Sequence, residues 1–264
     1  MGHFVKRRTL IFQLVKRDFQ QRYVGSAAGW MWSLIHPLVL LASYTFIFSV
    51  CLKTPPGTGA LTENYTLFLF TGMLPWLLFS ETVMRSSGSI VEQANLVTKT
   101  VFPSEIVPVS IFLSSLLSHT LTVVVLVGII GFMLGHISPM LIFLPVFTLL
   151  LGMFAIGIGW VAAALQVYLR DTAQVVTVGL TFWLWLTPIF IGEDRFPPSV
   201  HFILAVNPLA YVVQAYRLML LGKEMPPLHE IGTLIGATAA FAMATFVIGG
   251  LFFRHLKRGF ADVL

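Results

Sequence analysis

The sequence predicts an all-α membrane bundle of six crossings, with an amphipathic helix ahead of it and a pair of short helices dipping into one face. Three observations carry this prediction. Six apolar stretches, near residues 30–52, 65–83, 106–134, 140–167, 173–191 and 231–253, hold most of the chain; each is close to or above the ~20 residues that a helix needs to cross a hydrocarbon core. The composition is 57% hydrophobic and 10% charged, with a mean hydropathy of +0.88, which excludes a soluble domain of any size. The charges, finally, gather between the stretches, and in lipid only helices satisfy the backbone of such runs. The whole chain reads as one transmembrane domain: a lead-in over 1–29, a bundle over 30–253 and a tail over 254–264.

Lysine and arginine set the expected orientation. Twelve of the sixteen fall before the first stretch, in the second and fourth loops and in the tail; four, Lys53, Arg195, Arg217 and Lys223, fall on the other side. Both termini are therefore expected in the cytoplasm. The pI of about 9.6 follows from this bias and from anionic lipid headgroups, and needs no nucleic acid. No cleavable signal is expected, because the first apolar run is too long for one. The single Cys51 leaves no intramolecular disulfide.

Taken in order, the lead-in repeats as a helix lying on a surface. Ile11, Phe12, Val15 and Phe19 share one side and Gln13, Lys16, Arg17 and Gln20 the other; Asp18 falls on the apolar side, within reach of Arg22. This is an interfacial helix, either a plain anchor or a mobile element beside a path. In the second loop, Ser89 and Glu92 form an S-x-x-E capping box. The spacing predicts a helix of about 13 residues, roughly 20 Å, from Ile90 to Phe102, stopped by Pro103. It would present Asn95, Lys99 and Phe102 to the cytoplasm, or serve only as a connector.

Within the stretches no Lys, Arg, Asp or Glu lies away from an end, which argues against ion-coupled transport. His36 and His119 read as interhelical bonding partners, with no second ligand for a metal. No Ser/His/Asp set or acidic pair suggests an enzyme, and no P-loop motif occurs, so an energy source would sit on another subunit. Ala155, Gly159 and Ala163, and Gly232, Gly236, Ala240 and Ala244, form small-residue ridges for close helix approach. Among the aromatics, Phe182, Trp183 and Trp185 are the candidates to face a path. After the fifth stretch, Asn207 reads as an N-cap with Pro208 at the first helical position. Residues 199–206 and 208–221 then form two short helices that enter one face and return, rather than a seventh crossing.

Several segments in order also resemble one family. Asp18–Pro37 (DFQQRYVGSAAGWMWSLIHP), Gly72–Trp76 (GMLPW), Asn95–Pro108 (NLVTKTVFPSEIVP), Leu169–Asp171 (LRD), Thr187-Pro188 and Asn207–Tyr211 (NPLAY) are similar to the ABC-2 permeases of the O-antigen, capsule and teichoic-acid export group. The resemblance implies a homodimer of six-span subunits joined to two copies of a separate ATPase, which alone holds ATP and Mg. It implies a lipid-linked polysaccharide carried outward across the bacterial inner membrane. Lys16, Arg17, Phe19, Arg22 and Tyr23 would belong to a cytoplasmic gate helix. Ser89, Glu92, Asn95, Lys99, Phe102 and Pro103 would form the helix that docks on the ATPase, and Asn207, Pro208, Tyr211 and Arg217 an outer gate. O-antigen is the first expectation for the polymer, then capsule, then teichoic acid; a drug or lipid exporter of the ABC-2 class is the alternative of another kind.

Overall fold

The computed structural model describes residues 8–22, 24–57, 60–99 and 102–264. Helix α1 (Arg8–Gln21) leads through a turn into the first crossing, Gly29–Cys51. The turn uses Gly25 (φ 79°) and Gly29 (φ 52°), whose left-handed backbone no β-carbon obstructs; this is a physical reason for the G-S-x-x-G spacing. The crossing is a 3₁₀ turn, Gly29–Met31, then α2 (Trp32–Thr45) and a π-helical turn, Phe46–Cys51.

Helix α3 (Tyr65–Glu92) is the buried centre of the bundle. Asn64 starts it, its side chain accepting from the amides of Thr66 and Leu67 at 3.0 and 3.3 Å. A six-residue helix, α4 (Ala94–Lys99), follows, then α5 (Ile106–Leu134), which ends on Gly135 at φ 70°. Ser138 caps a 3₁₀ turn that leads into α6 (Leu144–Tyr168). Then come α7 (Thr172–Leu186), α8 (His201–Val206), α9 (Pro208–Leu221), α10 (Leu228–Leu256) and the terminal turn α11 (Phe260–Val263). No strand occurs among the described residues.

Packing follows the small residues. A β-carbon on Gly249 of α10 would overlap the Gly157 carbonyl of α6, and one on Gly159 would stand 2.9 Å from Ser86 of α3. The ridge through Ala155, Gly159 and Ala163 therefore faces the core. The second predicted ridge does not: Gly232 and Gly236 meet no atom within 4 Å. At mid-depth the rings of Phe79 and Phe154 stack at 5.3 Å, with the Trp183 edge on each at 5.4 and 6.0 Å.

Among the described residues, five helical segments are long and apolar enough to cross a membrane. The remaining crossing, fifth in chain order, departs from the sequence reading, which carried it as one apolar stretch from Ala173 to Ile191. Helix α7 stops at Leu186, after 15 residues or about 22 Å. Pro188 offers no amide, and it forces Thr187 into an extended conformation (φ −99°, ψ 136°), as the residue before a proline prefers. The chain still completes the passage unhelically. The Phe190 carbonyl accepts from the hydroxyl of Tyr65, at the far end of α3, at 2.8 Å. At the opposite end Tyr168 donates to the Leu256 carbonyl at 2.8 Å and Lys257 bonds Glu105 at 2.8 Å. Six crossings thus bring the C-terminal segment back to the end where α1 lies. Helices α8 and α9 meet at 85°, a re-entrant pair rather than a seventh crossing.

Candidate functional site: the two ends of the bundle

At the end that carries both described termini, α1 is tied to the bundle by charge. Arg22 pairs with Asp18 at 3.4 Å and with Glu81 at 2.5 Å; Arg85 pairs with Asp18 at 2.6 Å and approaches Glu81 at 3.8 Å. Ser115 of α5 joins them, accepting from Arg22 at 2.8 Å and donating to Glu81 at 3.1 Å. Asp18 thus reaches Arg22 as its spacing predicts and gains a second partner. It sits on the apolar side of α1 because that partner, Arg85, stands there. One reading is corrected: the second crossing does carry charge, since α3 continues past Val83 and holds Glu81 and Arg85 within one unbroken helix.

The apolar side of α1 also differs from its prediction. Leu14 is its buried residue, with Ile11, Val15 and Phe19 half-buried, whereas Phe12 is 69% exposed. Lys16 and Arg17 are exposed. Tyr23 lies outside the described residues, as does the side chain of Lys99. A cleft of about 380 Å³ separates α1 from the end of α3 and from α4; Arg17, Asp18, Glu92 and Asn95 are in its lining.

The capping box is not formed. Ser89 lies inside α3 and its hydroxyl donates back to the Ser86 carbonyl at 2.7 Å, the usual bond of a serine in mid-helix. Burial of Ser86, Ser87, Ser89 and Ile90 carries α3 through the predicted start. The single 13-residue helix is therefore two pieces: the last turn of α3, a break at Gln93, and α4. Glu92 and Asn95 are exposed there, and Phe102 and Pro103 are half-buried, Phe102 packing on the core instead of facing out. Nearby, Glu105 opens α5 and holds Lys257 at 2.8 Å. Burial pushes the Glu105 carboxyl up, but its hydrogen bond from Lys257, its own backbone amide and the charges of Lys257 and Arg254 outweigh that and hold it below the ordinary carboxylate range.

The opposite end rests largely on uncharged bonds, with Arg217 among them and Arg195 pairing with Asp194 at 3.7 Å nearby. Asn207 caps α9, accepting from the Leu209 amide at 3.1 Å, as its position before Pro208 predicts. The same oxygen accepts from the Trp183 indole at 2.9 Å, and the amide nitrogen donates to Thr187 at 3.1 Å. Trp183, expected beside a path, is instead packed between Phe79, Phe154 and this cap. Phe182 and Trp185 are 66% and 54% exposed, and Trp185 stacks on Phe190 at 4.8 Å. Arg217 lies 3.6 Å over the Phe68 ring and donates to the Ile189 carbonyl at 2.9 Å; Gly72 leaves the space, since a β-carbon there would stand 2.9 Å from the guanidinium. Tyr211 donates to the Ala205 carbonyl at 2.8 Å and so ties α9 to α8.

A network that the residue pattern did not reveal anchors α9. The hydroxyl of the fully buried Tyr216 meets His119 of α5 at 3.1 Å and Thr148 of α6 at 2.7 Å. The signal was present only in part: His119 was read as an interhelical partner, but its partner is an aromatic 97 residues away. Among the described residues no group of three or more His, Cys, Asp or Glu side chains could hold a metal ion.

Known proteins match this sequence along its length. Permeases named for O-antigen export are 28% identical over 97% of this chain in Klebsiella pneumoniae and 25% identical over 97% in Myxococcus xanthus, each match covering 95% of the relative. A polysialic acid transport protein of Escherichia coli is 23% identical over 95% of both chains. The family model described as ABC-2 type transporter matches residues 9–221, from α1 through the last residue of α9, and the chain belongs to that transporter membrane family.

Proposed function

We propose that this chain is the membrane subunit of an ATP-driven exporter that moves a lipid-linked O-antigen polysaccharide out of the cytoplasm. Both termini face the cytoplasm, on the side of the twelve cations. The chain works as a pair, with two copies of a separate ATPase that supplies ATP hydrolysis. The ATPase docks on the segment from Glu92 through α4, where Glu92 and Asn95 are exposed. Helix α1 borders the inner mouth, α8 and α9 close the outer one, and Phe182 and Trp185 offer flat, uncharged faces along which a polymer slides.

The observation that carries this reading is the similarity to permeases named for O-antigen export, which runs through 97% of the chain. The bundle fits the task, since Asp18, Arg22, Glu81 and Arg85 pair with one another and Arg217 is covered by the Phe68 ring and the Ile189 carbonyl, so these charges do not trap a polar chain. Deleting the gene in its own bacterium tests the reading. O-polysaccharide should vanish from the surface, lipid-linked polymer should accumulate inside, and plasmid-borne wild type should restore both. Normal O-antigen with loss of a capsule would move the assignment to the second reading, capsular export, which the polysialic acid transport relative favours.

A further inference from the structure

One cleft lies between α2, the middle of α3 and α5, beside the charge cluster. It has a volume of about 310 Å³ and is lined in part by Arg22, Trp32, His36, Ser80, Glu81 and Ser118, at the small end of the range for ligand pockets. Trp32, Pro37, Leu77 and Met84 give it mainly apolar walls, among which Arg22, Ser80, Glu81 and Ser118 set polar groups that a purely lipid-facing surface would lack. Ser118 is only 8% exposed, yet its hydroxyl has no hydrogen-bond partner. A buried hydroxyl left unpaired is costly, and here it borders an open space that a ligand can fill.

The chemistry selects the ligand. Arg22 and Glu81 already neutralise each other at 2.5 Å, so the cleft carries no net charge to favour an anion or a cation. An acyl chain would cover the apolar walls but strip water from Arg22, Glu81 and Ser118 without replacing their bonds, whereas a sugar ring offers both an apolar face and hydroxyls. The carboxylate and guanidinium are planar, two-pronged groups that match neighbouring hydroxyls on a ring. Trp32 is 51% exposed and gives the flat apolar face on which the C–H side of a pyranose lies. Ser118 supplies a hydroxyl that both donates and accepts.

Building on the export reading, we infer that this cleft is a subsite for one uncharged sugar residue of the polymer, placed where α1 meets the first crossing. A sugar bound there would touch Arg22 and Glu81 directly, and so would compete with the ion pairs that hold α1.

The test uses the complete transporter with its ATPase in nanodiscs, and lipid-free polysaccharide released from the source cells by mild acid. Saturation-transfer NMR and titration read binding. Ser118→Ala should raise the half-saturating concentration about threefold to tenfold with no loss of thermal stability, because it removes a hydroxyl that no protein group uses. Trp32→Ala should weaken binding by at least as much, and Trp32→Phe, which keeps a flat ring, should bind nearly as wild type does. Wild-type binding by both Ser118→Ala and Trp32→Ala overturns the subsite, as does displacement of the sugar by phosphatidylglycerol at this position. Surface polysaccharide measured in parallel separates the two claims. Normal export with unmoved binding rejects the subsite alone, whereas a wild-type transporter that exports no polysaccharide rejects the export reading with it.

Discussion

At the end of the bundle that carries both termini, α1 rests on four charged side chains that are 14–35% exposed. At the other end, α9 is held by a tyrosine with no exposure and by eight further buried residues along its length. The first set lies at a partly exposed edge, where salt screens charges more than it does in the core. The second lies in that core, where breaking one bond strands another buried group. On the export reading proposed above, α1 is therefore the element expected to move and α9 the one expected to stay. Between them, α8 belongs with the movable parts, since Leu204 is its one buried residue and Phe202 and Val206 are 66% and 63% exposed. The re-entrant pair pairs a fixed arm with a loose one, jointed at the cap Asn207.

The sharpest way to break this contrast is at Tyr216. Truncation by Tyr216→Ala should destabilise the detergent-solubilised protein by about 3–5 kcal/mol, and Tyr216→Phe by about 1–3 kcal/mol through the unpaired His119 and Thr148. Neither loss should change with added salt, which thermal unfolding at two ionic strengths will show. Next in size is α4. Val97→Pro removes the bond from the Val97 amide to the Gln93 carbonyl, 3.1 Å long, and should cost the local helix about 3 kcal/mol. ATPase activity of the assembled transporter should become insensitive to substrate while the subunit still inserts. A proline at position 94 would be a poor test, because Ala94 is the first residue of α4, where proline is tolerated.

How far the sequence alone reaches is visible in the same elements. Helix α9 was legible to the residue because its boundaries are local chemistry: Asn207-Pro208 opens it and Gly222 follows it. The re-entrant break is legible for the same reason, and the apolar crossings because their length and composition are local. The false start at Ser89 shows the opposite case. An S-x-x-E pattern fits a helix start and a helix interior equally well, and burial of the surrounding residues, which is tertiary, decided for the interior. Trp183 was misplaced because α7 is apolar all round, so periodicity gives no face. The charge cluster joins Asp18 to Arg85 across 67 residues, and no local spacing points to that.

Two smaller effects sharpen the account of the charged end. In a double-mutant cycle, Asp18→Ala and Arg85→Ala should show a coupling on the order of 1 kcal/mol that shrinks as salt is added. A coupling that ignores salt would place this cluster with the buried network and undo the contrast. Weaker still is the Glu105–Lys257 bond. Its carboxyl is held below the ordinary range, so the stabilisation is complete at neutral pH and is lost as the pH falls through the folded-state value. Because both groups are about a third exposed, the effect should stay below about 1 kcal/mol. Between pH 7 and about pH 4 and below, wild type should lose slightly more stability than Glu105→Gln.

The most direct measurement compares the two ends under turnover. In a Cys51→Ser background diluted with unlabelled protein, spin labels at Gln13 and Met84 report α1 against α3; labels at Phe132 and Gln214 report α9 against α5. All four positions are exposed. With the ATPase partner, substrate and ATP, the first distance should lengthen and broaden while the second keeps its resting distribution. A first distance that stays fixed while the second shifts would contradict the assignment of α1 as the movable element and α9 as the fixed one.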